Sequence, residues 1–166
     1  MNALPHSPCI EEMFRIFTTR ITVGPDAIDA NQHVNNLAYL RWMQDAATDH
    51  STAQGWSFER YVTFGSGWFV RSHFIEYLHP SFVGDVLNLH TWVHSMAPRS
   101  SPRRYCFVRE SDGEIIAKAE TQWVFVNFGS GRPARIPTEV SSAFSIVPED
   151  DPELLRLTTR RRRQTA

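Results

Sequence analysis

Only two cysteines, Cys9 and Cys106, occur in 166 residues, far apart and without cysteine neighbours. That excludes a disulfide framework and a cysteine-built zinc site, and both thiols are expected to be reduced and structural. No stretch is apolar enough to span a bilayer, and the opening Met-Asn-Ala-Leu-Pro-His-Ser-Pro lacks the basic start and apolar run of a secretory signal. A cytoplasmic protein without membrane insertion is expected. Neither sign of charge dominates: 17 Lys and Arg against 18 Asp and Glu give a formal net charge of -1. Nothing global therefore points to nucleic acid, and any anion site must be local. No internal repeat is present. With 42% hydrophobic residues, the length suits one domain with a real core.

Residues 1–12, with Pro5 and Pro8, read as a loose lead-in, residues 13–145 as the domain, and residues 146–166 as a polar tail ending in the basic run Arg160 to Arg163. The β-branched and aromatic residues between Phe14 and Val23 predict a first strand, ended by Gly24-Pro25-Asp26. A helix follows. Asn35 is a good N-cap, Val34 and Tyr39 are spaced for a hydrophobic staple, and Gly55 stands where the helix should stop. At 100° per residue Tyr39, Leu40, Met43, Ala46, Ala47, His50 and Ala53 share one stripe, and the small alanines suit a helix pressed onto a curved sheet. His50 on that stripe reads as a core histidine with one hydrogen bond.

Residues 56–63 predict a short helix, residues 65–67 a flexible break, and the rest of the domain strands: 68–78, 86–96, 103–110 and 114–128. Ser111-Asp112-Gly113 between the last two is a hairpin signal. Residues 138–144 predict a short closing helix. One strand, one long helix and then four antiparallel strands make an α+β domain in which a sheet wraps a central helix.

The chemistry concentrates just before that helix, in Asp29-Ala-Asn31-Gln-His33-Val-Asn35-Asn36 with Tyr39 following. In an extended segment, a spacing of two puts Asp29, Asn31 and His33 on one side. The unpaired N–H groups at the helix start, around Asn35 and Asn36, would aim at the same place. Such a set supplies a base and an oxyanion site. A metal held by Asp29, Asn31 and His33 finds no second ligand cluster to support it.

This string resembles the signature of hotdog-fold acyl thioesterases, both the small bacterial acyl-CoA enzymes of the 4-hydroxybenzoyl-CoA thioesterase type and the plant acyl-ACP thioesterases. The likeness extends from about Phe14 to Val140. The bacterial type often carries Gly where this chain has Gln32, so the string is closer to the plant enzymes, although those carry two hotdog units. The resemblance implies hydrolysis of acyl-CoA or acyl-ACP to a carboxylic acid and a thiol, without cofactor or metal. It implies Asp29 as general base or nucleophile, His33 and Asn31 positioning water or thioester, N–H groups around Asn35 and Asn36 polarising the carbonyl, and Tyr39 near substrate. A site between subunits, and hence a homodimer or homotetramer, is implied as well.

Arg99, Arg103 and Arg104 are expected in a loop between strands, as a candidate for the phosphates of coenzyme A or as a solvated basic loop. Trp68, Phe69, Phe74 and Tyr77 read as core or dimer contacts, with some of them candidates to line an acyl channel. Two other classes stay open: a hydratase or dehydratase of the same fold, and a non-catalytic acyl-CoA binding module.

Overall fold

The computed structural model describes residues 15–159. The lead-in, Phe14, Cys9 and the Arg160 to Arg163 run lie outside the described residues. Five strands form one antiparallel sheet: β1 (Ile16–Thr22), β2 (Ser66–Tyr77), β3 (Val86–Val93), β4 (Ser100–Arg109) and β5 (Ile115–Asn127), in the spatial order β1-β3-β4-β5-β2. Helix α1 (Asn36–Ala53) lies on its inner face. This is the wrapped-helix arrangement that the resemblance implied.

Packing follows from size. Tyr39, Met43 and Ala46 of α1 pack against Leu87 and Leu89 of β3, Tyr105 and Phe107 of β4, and Ala117 and Ala119 of β5, all buried. Small residues on both surfaces let the helix approach the sheet closely, while Phe107 fills the space beside Tyr39 with ring centroids 5.1 Å apart. Of the predicted stripe, Tyr39, Met43, Ala46, Ala47 and His50 are buried, whereas Ala53 is exposed at the fraying end.

Both helix ends obey their caps. The Asn35 side chain accepts from the Leu37 N–H at 2.8 Å, and Gly55 takes the left-handed conformation at φ 86 just past the end. Asn35→Ala should cost about 1 kcal/mol of stability, read as a lower urea midpoint at unchanged m.

Helix α2 (Phe58–Phe64) confirms the second helix. The expected flexible break after it is instead a tight junction. Gly65 caps α2 in the left-handed region, and Ser66 and Gly67 already belong to β2 and are buried. A Cβ on Gly67 would lie 2.7 Å from the Phe128 ring, so this glycine serves close packing, not mobility.

Short helices α3 (Thr138–Ser141) and α4 (Pro152–Thr158) follow the sheet. Residues 147–158, assigned by composition to a polar tail, cover the outer face of the sheet. Val147 and Leu154 bury themselves with Ile16, Trp92 and Cys106, and Arg15 holds the α4 cap residue Asp151 at 2.8 Å. That cover explains why His90, Trp92 and Cys106, on the less apolar face of their strands, are buried. Burial pushes the Cys106 thiol up to about 11, which suits an inert structural thiol. No helix among the described residues is long and apolar enough to cross a membrane.

Candidate functional site

The stretch from Asp29 to His33 is a closed turn, not an extended segment. Ile28 and Val34 bridge as antiparallel partners, the Asp29 N–H donates to the His33 carbonyl at 2.9 Å, and the Gln32 N–H donates to the Asp29 carbonyl at 3.0 Å. The Asp29 carboxylate then accepts from the Asn31 N–H at 2.8 Å, an Asx turn. The spacing of two therefore does not align Asp29, Asn31 and His33 as alternate residues of a strand. The reason is local: a short carboxylate two residues ahead of a free N–H closes a turn more readily than it extends.

Gln32 is the only non-glycine at positive φ among the described residues, at 65°. That conformation explains why a related chain would carry glycine there, because only glycine adopts it without a Cβ penalty. Gln32→Gly should be tolerated, whereas Gln32→Val should lose roughly 1 to 2 kcal/mol in urea denaturation, since a branched Cβ fits this region worst.

Asp29 is half-buried, and Asn31 and His33 are exposed. The His33 ring meets Phe82 edge-on at 5.3 Å. The loop is anchored to the rest of the fold by main-chain bonds: Val34 N–H to the Ser81 carbonyl at 2.9 Å, and Asn35 N–H to the Ala27 carbonyl at 2.7 Å. The helix start is thus largely occupied. The Asn35 N–H is taken by Ala27 and the Leu37 N–H by the Asn35 side chain, so Asn36 carries the N–H of the first turn that no described residue accepts. Tyr77 closes over this turn, its hydroxyl donating to the Asn36 carbonyl at 3.3 Å.

Tyr39 lies in the core, 3% exposed, against the rings of Trp42, Tyr77 and Phe107. Burial pushes its phenol up from the ordinary value. It packs beneath the loop with Ala27, Ile28 and Val34.

The three arginines do not form a loop. Arg103 and Arg104 are inside β4, and their side chains go to opposite faces. Arg104, on the outer face, is held by Glu120 at 2.8 Å and Glu149 at 2.6 Å. Arg103, on the inner face, is 6% exposed and reaches His50 Nδ1 at 2.9 Å and the Thr91 hydroxyl at 3.3 Å. Arg99 alone is exposed, just before the strand.

Pro102 lies within β4, opposite the first residue past the end of β3. Its carbonyl accepts from the His94 N–H at 3.0 Å, so the missing N–H faces the side where β3 has already ended at Val93. The proline cannot return a bond to the His94 carbonyl, and the ladder with β3 stops there.

Sequence reasoning missed Arg103 as an interior group. It makes His50 a core histidine of an unusual kind, because Nδ1 accepts from a cation while Nε2 lies 3.3 Å from the Gln54 side-chain amide. Among the described residues no carboxylate pairs with this guanidinium. Burial pushes its pKa down, the phenols of Tyr105 and Tyr61 acting the other way, yet an arginine keeps its charge. Holding such a charge out of water without a counter-ion costs on the order of several kcal/mol. Two more buried polar atoms lie nearby on the inner face without partners, the Tyr105 hydroxyl and the Trp123 indole N–H. Tyr105 points toward Thr121 and Trp123 but completes no hydrogen bond with either.

The family model described as the thioesterase-like superfamily matches residues 23–144. The chain belongs to the thioesterase-like superfamily. Within that family's reach, it is 24% identical over 160 residues to the chloroplastic palmitoyl-acyl carrier protein thioesterase of Gossypium hirsutum, which covers 86% of this chain but only 38% of the cotton protein. It is 23% identical over 122 residues to the long-chain acyl-CoA thioesterase FadM of Escherichia coli, covering 74% of this chain and 92% of FadM. Among solved structures, the SAV2348 protein of Staphylococcus aureus in complex with CoA superposes with a TM-score of 0.73 at 20% identity, covering 77% of this chain and 80% of that one. That likeness shows the fold. The thioesterase-like match begins at Val23 and so takes in the whole Asp29 loop and α1.

Proposed function

We propose that the protein hydrolyses acyl thioesters, acyl-CoA or acyl-ACP, at the Asp29 loop. The observation that carries this reading is a half-buried carboxylate, held by the Asn31 N–H in the loop that leads into α1, with the unaccepted N–H of Asn36 at the start of that helix. Asp29 acts on the thioester carbon directly or through water, and the Asn36 N–H with the α1 dipole takes up charge on the oxygen. His33 and Asn31, both exposed at the loop, position water and leaving group. A carboxylic acid and a free thiol leave.

Distant relatives named for acyl-CoA and acyl-ACP thioesterases support this class, and a CoA-bound structure of the same fold supports coenzyme A as carrier. The edge of the sheet supports an assembly. Strand β2 has no outer neighbour among the described residues, spans about 40 Å at 3.4 Å per residue, and exposes Phe69, Phe74 and Tyr77. A long apolar edge of that kind calls for a cover, and a second copy of the chain, as a homodimer or within a homotetramer, supplies one. Light scattering that gives a strictly monomeric mass would remove the inter-subunit site. The reaction itself is tested by thiol release from a panel of short, long and aromatic acyl-CoA and acyl-ACP substrates. If acyl-CoA binds without thiol release, the hydratase or binding-module reading replaces this one.

A further inference from the structure

A cavity of about 230 Å³ lies under the C-terminal half of α1, remote from the Asp29 loop of the same protomer. Thr48 on its wall is twelve residues beyond Asn36, about 18 Å along the axis at 1.5 Å per residue. Exposed Thr48, Phe58, Phe69 and Phe128 line its outer part, and buried Trp56, Tyr61, Val93 and Phe144 line its interior. Among this apolar lining stands Arg103.

Among the described residues the guanidinium meets only neutral acceptors, His50 and Thr91, and both bonds use Nη1. Its Nε and Nη2 have no partner among the described residues. That edge of a guanidinium presents two parallel N–H groups, the fork that matches one carboxylate. Trp123, on the same cavity wall, adds a buried indole N–H that faces the Tyr105 hydroxyl without completing a hydrogen bond to it. The chamber thus offers a fixed cation and a spare donor within aromatic walls, and its size is below that of ordinary drug-sized pockets, which begin at roughly 300 Å³.

We propose that this cavity binds a small carboxylate with an apolar body, seated with its carboxylate on the Nε–Nη2 edge of Arg103. A phosphate group fits less well, since one fork and one indole N–H leave most of a dianion unsatisfied. The carboxylate has two sources: a free acid, or the distal acid of a dicarboxylic acyl group. The second source rests on the thioesterase proposal; the binding itself does not.

Calorimetric titration of the whole chain with octanoate and 4-phenylbutyrate, against octanol and 4-phenylbutanol, tests it. The acids should bind at least tenfold more tightly than the matched alcohols. Arg103→Gln, checked for fold and assembly, should bring acids and alcohols within about twofold of each other. Equal binding of acids and alcohols by wild type, an acid preference that survives Arg103→Gln, or no binding of any probe would overturn the proposal. If Arg103→Gln does not fold, two milder variants decide. Trp123→Phe should lower the acid preference severalfold, and Thr48→Trp, at an exposed wall position, should weaken all four probes; if neither changes binding, the site is elsewhere and the proposal fails.

Thiol release from hexadecanedioyl-CoA and palmitoyl-CoA then separates the sources. A fall in kcat/KM for the diacid alone in Arg103→Gln assigns the acyl group. Lost acid binding with both hydrolysis rates unchanged assigns a free acid. If wild type hydrolyses neither compound, the thioesterase proposal fails on these substrates, while the titrations still decide the carboxylate site.

Discussion

Asp29→Ala should lower thiol release from the best acyl-thioester substrate by a hundredfold or more while the assembly persists. A positioned carboxylate acting as general base contributes about 10² to 10⁴ in rate, and a nucleophilic role would make the loss larger. The same substitution removes the acceptor of the Asn31 N–H, a bond of 2.8 Å in a half-exposed loop. A neutral or weakly stabilising contact there is worth roughly 1 kcal/mol. Loop loosening alone therefore predicts a small effect, and catalysis predicts a large one.

Asp29→Asn separates the two more sharply. The amide oxygen still accepts from Asn31 and preserves the Asx turn, but an amide is neither base nor nucleophile. Loss of activity in both variants with wild-type denaturation midpoints would place chemistry at Asp29. Retention of more than a tenth of the activity in Asp29→Asn would reduce Asp29 to a loop clamp. Continued consumption of an enoyl thioester without thiol release would point to the hydratase class.

Much of the fold was legible because its strongest signals are periodic. The α1 stripe from Tyr39 to His50, its Asn35 cap, the Gly55 stop and the Asp112-Gly113 hairpin each depend on near neighbours, and each is present in the structure. What escaped depends on distant chain. Leu154 looks like a stray apolar residue in a polar stretch until Trp92, Cys106 and Ile16 supply the surface it covers. Arg103 looks like part of a basic loop until the register with Thr121 and the end of β3 place it on an inner face beneath His50. At the site, the residue types could be picked out from the string, but their arrangement could not. A spacing of two fits a strand and a turn equally well, and the choice was made by an Asx bond and by Gln32 accepting a left-handed backbone.

Stability should fall by about 3 kcal/mol between pH 7 and pH 4, with His90 as the main source. His90 is 5% exposed on the outer face of β3, its Nδ1 2.8 Å from the Thr18 hydroxyl. Burial first, and Arg156 second, push it down from 6.5 to about 4. The folded chain therefore keeps this imidazole neutral until about pH 4, while the unfolded chain protonates it from about pH 6.5 downward. In that window the unfolded state binds more protons, so stability declines as pH is lowered and levels off near pH 4. The depressed carboxylates, Glu110, Glu120, Glu149 and Asp151, act in a lower window, because their contribution is complete above the ordinary carboxylate range and is lost beneath it. His73, also lowered by burial but more exposed, adds in the same direction as His90. Urea denaturation of wild type and His90→Gln across this range isolates the one residue. Glutamine preserves a polar contact to Thr18 and cannot titrate, so the gap between the two stability curves should close by about 3 kcal/mol on acidification. A gap that stays constant would mean that His90 protonates as readily in the folded chain as in the unfolded one. The cover that 147–158 lays over the sheet would then be open to water at His90.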